Sequence, residues 1–188
     1  MIGNMYQKIN QNFINALNDN WLQFKGSTSV SHFASGDASI EYFNLANIQE
    51  FRNCHLRKFF TIPPTTVLYT EVKGGVDGLL WPHKDHNTLC VLNYYIHAGN
   101  DETVFYNLKN NEVQPFRYKD KEVSNIYRPD DLVEVDKFVA HSNDAYLLDV
   151  SQIHAVKKLT DQPRIFISYQ WKENIYNEIL DDIMESYA

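Results

Sequence analysis

Cysteine is scarce in this chain. It has two, Cys54 and Cys90, and neither sits in a C-x-x-C or other metal-like spacing, so a thiolate metal site or a disulfide framework does not organise the protein. Isolated cysteines in a chain of this size read as reduced core thiols. Long hydrophobic runs are also missing, and no apolar stretch approaches the length of a bilayer span. Positive charge is in deficit: 17 Lys and Arg against 24 Asp and Glu leave a formal net charge of −7. Nucleic-acid binding needs a clustered positive field, so this balance argues against it. The opening residues, Met1 to Met5, lack a charged segment followed by an apolar one. No signal peptide is expected, and the chain reads as soluble and cytoplasmic. It has no internal repeat and no low-complexity tract.

What is present is a composition for one packed domain. The 188 residues are 44% hydrophobic and 14% aromatic, which excludes a disordered chain and suits a single core. Met5, Ile9, Phe13, Leu17 and Trp21 recur every four residues and predict an amphipathic helix over 5–24. Residues 26–40 are rich in Gly, Ser and Thr and predict a loop with at most one short strand. A second helix is expected over 45–60, ended by Pro63-Pro64. After Pro64 the texture becomes β-branched and aromatic. Strands are expected at 65–72, 79–85, 88–96, 103–106, 113–118, 132–135, 145–150, 155–158 and 164–171, with a hairpin turn at 98–101. The tail over 174–187 returns to helical spacing. Short strands in such a run suggest a sandwich or barrel braced by helices rather than a βαβ sheet.

The stretch Trp81-Pro82-His83-Lys84-Asp85-His86 carries the chemistry. On a strand the side-chain period is two, so His83 and Asp85 project from one face. With the distant His154 they form the pattern of a 2-His-1-carboxylate triad, which binds Fe(II) and leaves three positions open. A bidentate 2-oxo acid and dioxygen would fill those positions. The distal carboxylate of such an acid then needs a cation. Arg164 lies ten residues after His154, past Thr160-Asp161-Gln162-Pro163, on what reads as the next strand of a hairpin. Ser168 falls on the same strand face. His32, His55, His86, His97 and His141 have no spacing that recruits them, and Trp81 and Trp171 read as packing residues.

These residues together resemble the 2-oxoglutarate/Fe(II)-dependent dioxygenases, and most closely their prolyl hydroxylase branch. The matching stretches are Val67-Leu68-Tyr69, Pro82-His83-Lys84-Asp85, Asn93-Tyr94-Tyr95-Ile96, Glu102-Thr103-Val104-Phe105, His154-Ala155-Val156 and Arg164-Ile165-Phe166-Ile167-Ser168. The resemblance implies a mainly β fold, a double-stranded β-helix or jelly roll over 65–171. Helical support over 1–64 and a C-terminal helix over 172–188 would complete one domain. It implies iron bound by His83, Asp85 and His154. Arg164 would pair with the C5 carboxylate of 2-oxoglutarate, Ser168 would hydrogen-bond the same group, and Tyr69 and Tyr95 would line the co-substrate pocket. The implied reaction is hydroxylation by O2 of a peptidyl-prolyl residue or a small metabolite or amino acid, with release of succinate and CO2. The nucleic-acid demethylase branch has a second arginine six residues after the first, where this chain has Gln170. A non-catalytic metal-binding jelly roll and a metal enzyme without 2-oxoglutarate are the competing readings. The prime substrate and the oligomeric state are not legible.

Overall fold

The structure, a computed structural model, describes residues 5–13, 25–31, 34–35, 39–45, 59–73, 79–110, 116–118, 121–123 and 125–186. Among them eight strands build the core: β5 (Thr66–Lys73), β6 (Leu79–His83), β7 (Cys90–His97), β8 (Glu102–Leu108), β11 (Leu132–Val139), β12 (Ala145–Asp149), β13 (Ile153–Lys157) and β14 (Arg164–Trp171). They divide between two antiparallel sheets in the orders β12-β7-β14-β5 and β11-β8-β13-β6. Apart from the directly paired β8 and β11, consecutive core strands alternate between the sheets. That connectivity is the double-stranded β-helix, or jelly roll.

Short strands extend this core. The first sheet continues through β4 (Ser39–Leu45) to β2 (Lys25–Ser31) on one side and to β1 (Tyr6–Lys8) on the other. In the second sheet β3 (Ala34–Ser35) pairs with β6, while β9 (Phe116–Tyr118) and β10 (Lys121–Val123) form a separate hairpin. One helix, α1 (Tyr176–Ser186), follows β14.

Period-two alternation places two different environments on the two faces of β14. Ile167, Tyr169 and Trp171 face outward into a cluster with Phe13, Phe60, Ile175, Ile179 and Ile183. Arg164, Phe166, Ser168 and Gln170 face inward and line a cavity between the sheets. Neighbouring strands repeat the division, with Leu92 outward and Val91 and Asn93 inward. A second cluster around Tyr95, Phe105, Phe138 and Tyr146 fills the inter-sheet space beside the cavity. The C-terminal helix therefore covers the outer face of the first sheet, as its Ile175, Ile179 and Ile183 stripe requires.

Several sequence expectations change. Residues 6–8 form an edge strand against β12 rather than helix. Apolar residues four apart, such as Met5 and Ile9, share a face in a strand as well as in a helix, so that spacing alone does not separate the two. Helix is found at 11–13, and the remainder of the expected first helix, over 14–24, lies outside the described residues. Within 25–45 the Gly/Ser/Thr-rich segment makes strands β2, β3 and β4, because pairing onto a sheet edge overrides weak propensity. Leu45 ends β4 rather than starting a helix, and residues 46–58 lie outside the described residues. Neither 98–101 nor 158–163 closes a hairpin: each connects strands of opposite sheets. Cys90 is free and buried, and Cys54 lies outside the described residues.

Ile179 is fully buried between α1 and the first sheet. Truncation of Ile179 to Ala is expected to lower stability by about 2–4 kcal/mol, read from the urea unfolding midpoint.

Candidate metal centre

The ligand candidates are aimed by an irregularity in β6. His83 pairs with His154 and Leu80 pairs with Val156, so Trp81 and Pro82 together oppose the single residue Ala155. This is a β-bulge, and Pro82, which has no N–H for the ladder, occupies it at no cost in hydrogen bonding. Beyond the bulge His83 and His154 stand directly across from each other, with ring centroids 4.5 Å apart.

Asp85 does not lie on the strand. β6 ends at His83, and the next two residues are held from outside the core sheets. Lys84 donates its N–H to the Asn125 carbonyl at 3.0 Å, and Asn125 Nδ2 donates back to the Lys84 carbonyl at 3.1 Å. Asp85 donates its N–H to the Val150 carbonyl at 3.4 Å. Its carboxylate reaches His83 Nε2 at 3.3 Å. Ligand atoms of His83, Asp85 and His154 all lie within 4.8 Å of one another, close enough to share one metal ion.

Both imidazoles are oriented by their other nitrogen. His83 Nδ1 lies 2.7 Å from the Trp81 carbonyl and His154 Nδ1 lies 3.0 Å from the Gln152 carbonyl. A carbonyl only accepts, so each Nδ1 carries a proton; His154 Nε2 presents a lone pair, and His83 Nε2, which faces the Asp85 carboxylate, would present one once a metal displaces its proton. Asp149 supports the second of these: its carboxylate accepts hydrogen bonds from Ser151 and from Gln152 Nε2.

Electrostatics differ among the three. Burial pushes the His154 pKa down to about 4, helped by the neighbouring His83 charge. Burial also opposes charge on His83, but the hydrogen bond and charge of Asp85 outweigh it and raise the pKa. For Asp85, burial is outweighed by the His83 hydrogen bond and the two imidazoles, and the pKa is lowered. The carboxylate is thus ionised at neutral pH and His154 is a neutral donor.

The cavity continues from this centre to a buried cation. It has a volume of about 110 Å³, and among the described residues that line it only Asp85 and Arg164, besides the histidines, can carry charge. Arg164 is 2% exposed. Its Nη2 donates to Tyr95 Oη at 2.6 Å and to Thr103 Oγ1 at 2.7 Å, and its guanidinium stacks 4.7 Å from the Tyr95 ring centre. Its Nε and Nη1 are buried and make no hydrogen bond among the described residues. These donors, on a buried cation, are left for an anionic acceptor.

The sequence-predicted residues therefore separate. His83, Asp85 and His154 come together, and Arg164 and Ser168 line the same cavity. Tyr95 lies behind Arg164 and accepts from it. Tyr69 is directed away: it packs on the outer cluster with Val67, and Thr70 takes the inward place on β5. The period of two decides this, since only one of two successive strand residues can face the cavity. Thr103, Asn93, Thr70 and Gln170 were not singled out from the sequence. Their signal is a polar residue at the inward phase of an otherwise apolar strand. Gln170 Nε2 donates to Ser168 Oγ at 3.3 Å, and Asn93 Oδ1 and Thr70 Oγ1 are buried without a hydrogen bond among the described residues.

No protein-family model matches the chain, and no curated protein matches its sequence. The chain aligns distantly with several solved structures. HygX from Streptomyces hygroscopicus, with nickel and 2-oxoglutarate bound, is 11% identical with a TM-score of 0.46, over 88% of this chain and 82% of that one. A cupin-like protein from Thermotoga maritima is 11% identical with a TM-score of 0.38, over 79% of each chain. Oxalate decarboxylase from Bacillus subtilis is 13% identical with a TM-score of 0.39 over 74% of this chain, which spans 27% of that enzyme's length. Among the described residues no helix is long and apolar enough to cross a membrane.

A pH dependence follows from His154. The unfolded imidazole takes a proton near pH 6.5 and the folded one only near pH 4. Between those values the unfolded state binds more protons, so metal-free protein should lose stability as pH falls through that window, on the order of 2–3 kcal/mol. The raised His83 pKa works in the opposite sense, adding stability that fades as pH rises above 6.5. Saturating Mn(II) or Ni(II) should raise the melting temperature at about pH 7.5 and lose that effect on acidification, because protons compete for the same nitrogens. Differential scanning calorimetry across this range checks both.

Proposed function

We propose that the chain is a single-domain 2-oxoglutarate- and Fe(II)-dependent dioxygenase that hydroxylates a small metabolite, amino acid or peptidyl residue. The observation that supports this most is the Arg164 guanidinium, buried with Nε and Nη1 unbonded among the described residues, in the cavity that also contains His83, Asp85 and His154. A buried cation with unmade hydrogen bonds is costly unless an anion completes it. Charge balance points to the same ligand. A divalent ion, the Asp85 carboxylate and the Arg164 guanidinium sum to +2, which a dicarboxylate dianion neutralises.

The donor set fits Fe(II): two imidazole nitrogens and a carboxylate on one side of a cavity. Bound there, Fe(II) with 2-oxoglutarate and O2 would supply the oxidising power for hydroxylation, with release of succinate and CO2. The chain's own residues supply the rest. His83 and His154 offer Nε2 because Trp81 and Gln152 hold their Nδ1 protons. Arg164 fixes the distal carboxylate, and Tyr95 and Thr103 fix Arg164. Val91, Leu148 and Val150 give the cavity an apolar wall that limits water. The likeness to the prolyl hydroxylase branch rests on short motifs alone, so the proposal extends to the reaction class and not to proline.

The test is anaerobic titration of the metal-loaded protein with 2-oxoglutarate, followed by the visible charge-transfer band of Fe(II) or by calorimetry with Ni(II). Arg164→Met should weaken 2-oxoglutarate by about a hundredfold with metal affinity unchanged. His83→Ala should abolish metal binding and the band together. A wild-type protein that binds metal but no 2-oxoglutarate, or an Arg164→Met variant with unaltered affinity, would sink the co-substrate assignment and leave a metal-binding module.

A further inference from the structure

In the connections that adjoin Thr103 and Arg164 lies an ion pair with no contact to solvent. Lys158 Nζ and Asp101 Oδ2 are 2.7 Å apart, and both side chains are 0% exposed. Buried ion pairs are weak stabilisers, since desolvation cancels much of the attraction, and they are better attested as devices that fix one arrangement. Here the two charged residues belong to two connections that cross between the sheets. Asp101 ends the connection from β7 to β8, and Lys158 starts the connection from β13 to β14.

Further bonds tie the same two connections together. Asp101 Oδ1 accepts the Leu159 N–H at 3.0 Å across them, while Lys158 Nζ also donates to the Gln162 carbonyl within the second connection. Thr160 Oγ1 donates to the Gly99 carbonyl at 2.6 Å, and His97 Nδ1 contacts the Pro163 carbonyl at 2.7 Å. Both the tight approach and the backbone conformation favour glycine. Gly99 has φ +65°, and a Cβ there would lie 3.2 Å from the Gln162 carbonyl oxygen and 3.3 Å from that of Pro163.

The three members of the arginine cluster flank this junction. Tyr95 lies just before the first connection, Thr103 just after it, and Arg164 is the first residue after the second. We propose that Asp101 and Lys158 are positioning residues for recognition of the distal carboxylate: by docking the two connections they set Tyr95, Thr103 and Arg164 in register around one anion. This rests on the reading of Arg164 as the carboxylate site. It adds that an ion pair touching neither metal nor co-substrate determines how well that site discriminates a 2-oxo diacid from a 2-oxo monoacid.

Pyruvate chelates a metal through the same 2-oxo carboxylate but has no distal carboxylate, so the two ligands separate positioning of Arg164 from general damage. The experiment measures the Kd of Ni(II), and then of 2-oxoglutarate and of pyruvate on Ni(II)-loaded protein. It compares wild type with Asp101→Leu/Lys158→Met, Thr160→Val and Arg164→Met. The double variant replaces the pair by apolar groups of similar size, a change that often preserves folding. Its 2-oxoglutarate Kd should rise by roughly tenfold or more while the Ni(II) and pyruvate values stay put, because small misplacements of a binding group are expensive. Thr160→Val should shift the same ratio in the same direction by less, and it serves if the double variant does not fold. Unchanged 2-oxoglutarate affinity in every folded variant, or equal weakening of both acids, overturns the proposal. Absence of 2-oxoglutarate binding in wild type, or no effect of Arg164→Met, overturns the carboxylate site itself and the positioning role with it.

Discussion

One extra residue in β6 sets the geometry on which the centre depends. With Trp81 and Pro82 opposing Ala155, His83 is carried to the position across from His154. In a regular ladder the phase of every residue beyond Leu80 would be reversed, and His83 would leave the inner face. Because the strand stops there, Asp85 is free to be placed by Asn125 and Val150 on the same side. The triad is therefore held by a bulge and a tethered turn, and not by the simple alternation that the His-x-Asp spacing suggests.

Burial acts on the charges of this cavity in different ways. It drives His154 to the neutral form that can donate to a metal. At Arg164 it leaves two guanidinium nitrogens, Nε and Nη1, without a hydrogen-bond partner among the described residues. Asp101 and Lys158 neutralise each other out of contact with water. At Cys90 the same effect silences chemistry: burial, followed by the charges of Asp149 and Glu178, pushes the thiol up to about 12.

The sequence was most legible where burial was two-faced and strong. The strand expected at 164–171 has those bounds, and the C-terminal helix differs only at its ends. His83, Asp85, His154 and Arg164 stood out because few other roles suit those residue types in strands. Tyr69 was harder, because an aromatic residue suits either face of a half-buried strand and only the register fixes which one it takes. Strands β2 and β4 were missed because sheet-edge pairing needs backbone hydrogen bonds and little from the side chains. The crossing connections were read as hairpins because turn residues report a change of direction but not the sheet to which the chain returns. Thr103 and the Asp101–Lys158 pair depend on that return, and no local pattern carries it.

The two-sidedness of β14 separates inheritance of the fold from inheritance of the chemistry. Odd positions from 167 to 171 belong to the packing that holds the first sheet to its helix, and even positions from 164 to 170 face the cavity. A library confined to 166, 168 and 170 would therefore reshape the chamber with the outer packing left alone, and alternate codons of one short segment become the natural handle for changing what the cavity admits.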